Sequence, residues 1–76
     1  MQPMTNHMSP DRWMTQMFSA RTAAEGGIVR RRVSDVERLV GRERFVREVK
    51  RRGYRAIENG GHFIVFCNAE PVKIVV

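Results

Sequence analysis

The sequence predicts an α+β domain in which helices and a short strand precede a three-stranded antiparallel meander. The main observation is an apolar run at residues 62–67 (HFIVFC), with turn residues before it at 59–61 (NGG) and after it at 68–71 (NAEP). A short apolar run between turns predicts a strand that is buried on both faces. We therefore expect strands at 54–59, 62–67 and 72–76, with the apolar run in the centre.

The second observation is a helical pattern near the N-terminus. Residues 1–8 lack periodicity and are expected to be a disordered tail or a cloning remnant, which leaves residues 9–76 as a single domain. Ser9, Pro10 and Asp11 suit the cap and the first turn of a helix, and a glycine pair at 26–27 ends it. One face of this predicted helix is apolar and consists of Trp13, Met14, Met17, Phe18, Ala20 and Ala24.

The third observation is the segment 28–52. Residues 28–33 (IVRRRV) predict a strand, and the three adjacent arginines place it at an edge of the sheet, because burying them would be costly. Ser34 and Glu37 have the spacing of a capping box at the start of the next helix. Gly41 interrupts the apolar pattern and predicts two short helices, at 34–40 and 42–52, with one bent helix as the alternative.

Composition limits the classes of function. Seventy-six residues form one domain at most, and the net charge of +6 favours anionic partners, although a solvated basic face is an alternative explanation. No apolar stretch reaches 18 residues and no secretory signal is present, so we expect a cytoplasmic protein. Cys67 has no partner for a disulfide and is expected to be a small buried residue. Two histidines do not make a metal site, and no cofactor is predicted.

The basic residues are the main functional signal. Eleven of the fourteen Lys and Arg lie between Arg30 and Arg55, where four carboxylates leave a local excess of seven positive charges. Such a cluster suits contact with phosphates. Pairs at i,i+4, Glu43 with Arg47 and Glu48 with Arg52, explain part of it as helix stabilisation. The candidate nucleic-acid-binding residues are Arg30, Arg32, Arg44, Arg47, Lys50, Arg51, Arg52 and Arg55, with Tyr54 as a stacking ring.

His62 follows two glycines at the mouth of the predicted hairpin, where a histidine can act as an acid or a base near neutral pH. The features around it, Gly53-Tyr54, Gly60-Gly61-His62 and a strand at 72–76, occupy places that match those of the HicA toxins, which are small mRNA interferases. Residues 45–76 thus resemble this family. The resemblance implies a fold like that of double-stranded-RNA-binding domains, His62 as the catalytic base, and Arg51, Arg52 and Arg55 holding the RNA backbone. Gly61 stands where the family has serine, and the family's closing helix has no counterpart.

Three functions follow in order of preference. The first is non-catalytic binding of nucleic acid, with RNA favoured, through the arginine-rich helix. The second is a protein-interaction or regulatory module that binds an acidic partner and works as a homodimer. The third is a HicA-like ribonuclease that uses His62. Because both faces of the central strand are apolar, we also expect helices on both faces of the sheet or a second subunit on one of them.

Overall fold

The computed structural model of the protein describes residues 8–76, and the expectation of a disordered tail falls almost wholly on residues 1–7, outside that range. The described chain is an α+β domain, as the sequence predicts. Its elements in chain order are α1 (Pro10–Phe18), α2 (Arg21–Ala24), β1 (Ile28–Arg32), α3 (Val33–Leu39), α4 (Arg42–Arg51), β2 (Arg55–Asn59) and β3 (His62–Phe66).

The three strands form an antiparallel sheet in the order β1-β3-β2. Strand β3 is central, as expected, and β1 is an edge strand, also as expected. The prediction of a third meander strand at 72–76 is wrong, because that segment has no regular structure. Strand β1 pairs with one edge of β3 and β2 with the other, so β3 has no free edge left for the chain that follows it.

A two-residue loop joins β2 to β3. Gly60 and Gly61 have φ values of +56° and +77°, and Asn59 pairs with His62 across the loop. Positive φ at both loop positions is typical of the type I′ turn, whose twist matches that of the two strands. The hairpin is thus confirmed, but the two glycines supply the positive φ values and Asn59 belongs to the strand.

The predicted N-terminal helix is divided in two. Its start is confirmed, since the Ser9 hydroxyl accepts a hydrogen bond from the Arg12 backbone N–H at 3.1 Å. Helix α1 ends at Phe18, and the Ser19 hydroxyl donates to the Thr15 carbonyl. Ser and Thr side chains that bond to the carbonyl four residues earlier often bend or end helices. The helix resumes at Arg21, and this shift buries Ala23 and leaves Ala24 exposed.

The break at Gly41 is confirmed, and α3 and α4 are separate helices. Gly41 has a φ of +96°, a backbone conformation that side-chain-bearing residues rarely adopt. The predicted capping box is wrong. Helix α3 begins at Val33, whose N–H donates to the Gly61 carbonyl, so Ser34 lies inside the first turn and caps nothing.

The helices of residues 8–76 pack on one face of the sheet only. Phe45 is fully buried and stacks against Phe63 of β3 with ring centroids 4.8 Å apart, and Val36 and Val65 complete the centre of the core. Cys67 is buried beside them, as expected for a small apolar residue. The expectation that β3 is buried on both faces is wrong. Its residues alternate between buried and half-buried, because no helix of the described chain covers the second face.

Candidate nucleic-acid interface

The uncovered face of the sheet combines apolar and basic side chains in three rows. The register places Ile28, Phe66 and Arg55 side by side, then Arg30, Ile64 and Ile57, then Arg32, His62 and Asn59. Residues directly opposite in an antiparallel pair point to the same face. We call these nine residues the open face. None of the nine carries a carboxylate, so the three arginines there have no acidic neighbour on the strands.

The burial of the strands supports this assignment. Val29 of β1 and Val65 of β3 are paired and both buried, which fixes the helix-covered side of each strand. Their neighbours Ile28 and Arg30 are exposed, and Ile57 of β2 is 42% exposed. Ile57 lies in the middle of its strand, and at this exposure it is not part of the core.

A second basic surface lies on the outer side of α4. Helix α4 turns Phe45 and Val49 into the core, and Arg44, Arg47 and Lys50 are exposed. These three cations make no ion pair with a carboxylate of residues 8–76. Because α4 packs on the helix-covered face of the sheet, its outer side and the open face point in different directions. The predicted basic cluster is therefore divided between two surfaces.

Two of the candidate arginines are bound within the molecule. Arg51 donates two hydrogen bonds to Glu48, at 2.9 and 2.8 Å, and Arg52 donates one at 2.6 Å. The bonds from Arg51 and then from Arg52 lower the pKa of Glu48 to about 2, although partial burial acts in the opposite direction. The pair of Glu48 with Arg52 was predicted from its spacing, and the pair of Glu43 with Arg47 is not formed in the described chain.

Arg52 and Tyr54 both contact Phe18. The Arg52 guanidinium lies 4.6 Å from the centre of the Phe18 ring, and the half-buried Tyr54 ring meets the Phe18 ring edge-on at 5.6 Å. Both side chains thus help to hold α1 against the domain. The candidate stacking ring already has an aromatic neighbour, whereas Phe66 on the open face is an aromatic residue that the sequence analysis did not select.

His62 is half-buried in the last row of the open face. Its Nδ1–H donates to the Gly60 carbonyl at 3.1 Å, which leaves Nε2 as the acceptor of the neutral ring. Arg32 and Asn59 flank it on the two edge strands. No carboxylate bonds to its ring in the part of the chain described, and the strand at 72–76 that the HicA resemblance implied is not formed.

A groove of about 420 Å³ lies between α4 and β2. Phe45, Val46, Val49 and Ala56 contribute to its lining, and Arg42 bridges it by bonding to both Glu37 and Glu58. Every residue of β2 is exposed, including those on the helix side of the sheet, so the groove is open to solvent. In the segment that follows Pro71, Ile74, Val75 and Val76 are almost fully exposed.

No metal-binding cluster of three or more His, Cys, Asp or Glu occurs in residues 8–76. None of the helices in this range is long and apolar enough to cross a membrane. Comparison of the chain with protein-family models, with curated proteins and with solved structures finds no match.

Proposed function

We propose that the protein binds nucleic acid, with RNA favoured, without catalysing a reaction. The observation that carries the proposal is a separation of the basic residues into two groups. Five arginines form the six ion pairs of the described chain. Eight exposed cations of the described chain make none of these ion pairs. Arg12 and Lys73 are two of them, and the other six were candidates from the sequence: Arg30, Arg32, Arg44, Arg47, Lys50 and Arg55.

Uncompensated cations on a folded domain favour a polyanion. Each Lys or Arg that meets a phosphate releases a condensed counterion, which strengthens binding at low salt. A cation that is already paired to a carboxylate contributes less to phosphate binding, because its ion pair must first be broken. Arg51 and Arg52 are therefore weaker candidates for phosphate contacts than the six unpaired candidates. These six lie on two surfaces, the open face (Arg30, Arg32 and Arg55) and the outer side of α4 (Arg44, Arg47 and Lys50). The buried free thiol of Cys67 suits the reducing cytoplasm, where we place the protein.

A titration of labelled RNA over a salt series tests the proposal. For three to six phosphate contacts, log K should fall linearly with log salt, with a slope of about −2 to −4 for a single strand. Failure to bind either RNA or DNA at about 50 mM salt, where the electrostatic term is strong, would contradict the proposal. An affinity that does not change with salt would also contradict it.

The alternative function is a protein-interaction module, and the exposed apolar segment favours it. Ile74, Val75 and Val76 are 89%, 90% and 113% exposed and make no backbone hydrogen bond with the described chain. Strand β2 is a free edge to which an extended segment can add. This alternative predicts that the purified chain forms homodimers or captures an acidic protein, and that nuclease treatment leaves the complex intact.

The HicA-like ribonuclease remains a further alternative that rests on His62. It requires that purified protein cleaves RNA and that His62→Ala abolishes cleavage while the fold persists. Equal cleavage by wild type and variant would dispose of it. The Nε2 of His62 makes no hydrogen bond with the described residues, which leaves it available as a base, and the Gly60 carbonyl orients the ring through Nδ1–H.

A further inference from the structure

We infer that the open face is the part of the protein that binds nucleic acid and that its ligand is single-stranded RNA. The inference rests on the proposed function and goes beyond it by assigning the surface and the class of ligand. The sequence alone predicts that the contact lies on the arginine-rich helix. The open face is a different surface, which combines arginines with apolar and aromatic side chains. This combination favours single-stranded nucleic acid as the ligand.

The four apolar residues of the open face are neighbours in its first two rows. Ile28 and Phe66 lie in one row, and Ile64 and Ile57 lie beside each other in the next. Adjacent strands are about 5 Å apart and side chains on one face repeat about every 7 Å along a strand, so these four side chains touch or nearly touch. A duplex presents its phosphates to a protein and would leave such a patch without a partner. Unpaired bases have apolar faces that can cover it.

The arginines stand at the rim of this patch. Arg30 and Arg32 project from the edge strand β1, and Arg55 projects from the other edge strand, beside Phe66. Arg55 also donates a long hydrogen bond of 3.4 Å to the Ala69 carbonyl, and its guanidinium makes no ion pair with a carboxylate of the described residues. A strand whose bases lie over Phe66 and Ile64 can place its phosphates against these rim arginines. The face is about 10 Å wide and 16 Å long by standard sheet spacings, which suits two or three nucleotides.

The last row favours RNA over DNA. His62 has its Nε2 available, and Asn59 beside it offers both a donor and an acceptor. The 2′-hydroxyl is both a donor and an acceptor and distinguishes RNA from DNA at a given site. One recess of about 360 Å³ continues the face past Phe66, and Lys73 and Glu70 both line it. Lys73 can extend the path of the phosphates, and Glu70 limits the excess of positive charge at that end.

The outer side of α4 supplies a matched control. Arg30→Gln/Arg32→Gln and Arg44→Gln/Arg47→Gln each remove two exposed arginines, and each spares every ion pair of the described chain. The two double variants have the same net charge and differ in the surface from which the two positive charges are removed. Phe66→Leu is the third variant, because it removes the aromatic ring and keeps an apolar side chain on the strand.

The experiment measures binding of a labelled eight-nucleotide RNA, the same sequence as DNA, and the RNA duplex, each at about 50 mM salt. We expect the single-stranded RNA to bind most tightly. Arg30→Gln/Arg32→Gln should weaken it at least tenfold and Arg44→Gln/Arg47→Gln less than threefold. Phe66→Leu should weaken it about tenfold, as expected for the loss of a stacked base. Thermal melts of all variants confirm that the fold is retained.

The outcomes separate the inference from the proposed function. If the helix variant loses affinity and the sheet variant does not, nucleic-acid binding stands and the open face is the wrong surface. Tighter binding of the duplex overturns the single-strand assignment, and equal binding of DNA overturns the preference for RNA. If none of the three probes binds, the proposed function itself fails.

Discussion

Glu48 is a partly buried carboxylate whose ionised form is stabilised by two arginines. It accepts two hydrogen bonds from Arg51 and one from Arg52, and these bonds lower its pKa from 4.5 to about 2. A carboxylate with a lowered folded-state pKa stabilises the fold above its unfolded pKa, and this contribution is lost as the pH falls through the folded pKa. The window for Glu48 is therefore about pH 4.5 down to about pH 2.

We predict that Glu48→Gln lowers the free energy of unfolding at pH 7 by about 1 kcal/mol. The expected loss is small because the Arg51 side chain is 68% exposed and water screens its ion pair with Glu48. Urea denaturation at pH 7, 4.5 and 3 measures the effect, and the difference between variant and wild type should shrink toward pH 3.

Glu43→Gln is the matched control on the same helix. Glu43 is exposed and forms no ion pair with the described residues, so its substitution should change the free energy of unfolding by less than about 0.5 kcal/mol. If the two variants lose the same amount, or if the loss in Glu48→Gln is the same at all three pH values, the role assigned to Glu48 is contradicted.

At the scale of one residue, the sequence shows which ion pairs the helix spacing allows but not which of them form. The i,i+4 spacing predicted the pairs of both Glu48 with Arg52 and Glu43 with Arg47, and only the first is formed. Glu48 is the less exposed carboxylate and receives two arginines, whereas Glu43 remains in water, where an ion pair contributes little. Which of the two ion pairs forms depends on the burial of the carboxylate, and that burial depends on how α4 packs.

At the scale of elements, the start, the end and the type of most segments follow from local signals. Gly41 separates α3 from α4, and Gly60-Gly61 closes the β2–β3 hairpin, both as the sequence predicts. The order of the strands could not be predicted in this way. Both β1 and the segment at 72–76 have strand-like sequences, and the position beside β3 that the second was expected to fill is taken by β1.

The open face could not be predicted from the sequence. An apolar run gives no sign of which face lacks a covering helix, so the sequence predicts cover on both faces of β3. Arg30 and Arg32 are two residues apart and share one side of β1, but only the register with β3 shows that this side also carries His62 and Phe66.

We predict that Gly41→Ala lowers the free energy of unfolding by about 1–2 kcal/mol, because its φ of +96° strains a residue with a side chain. A Cβ atom at this position would meet no other atom within 4 Å, so the cost comes from the backbone alone. Chemical denaturation at pH 7 measures it.

Gly60→Asn is the control for this backbone effect. Gly60 has a φ of +56°, in the left-handed region that asparagine tolerates, and it also has open space around it. Its substitution should cost less than about 0.5 kcal/mol. If Gly41→Ala is as stable as wild type, the break between α3 and α4 does not depend on the glycine backbone.

At the scale of the whole molecule, residues 8–76 form one layer of helices on one sheet, and two exposed regions bear on the choice between functions. The open face carries the rim arginines, and the segment from residue 74 onward carries exposed apolar side chains. The proposed function uses the open face, and the protein-interaction alternative uses the segment from residue 74 onward. A measurement on that segment can therefore distinguish the two functions without any nucleic acid.

We predict that deleting residues 74–76 changes the free energy of unfolding by less than about 0.5 kcal/mol, because Ile74, Val75 and Val76 bury almost no surface. Val65→Ala is the contrasting change in the core: Val65 is fully buried, and its truncation should cost about 2 kcal/mol. Thermal melts at 5 and 200 μM measure both variants against wild type. A melting temperature that rises with concentration in wild type but not in the deletion variant would assign these residues to an interface between copies, since association adds stability that depends on concentration. That result would favour the interaction module over the nucleic-acid-binding domain.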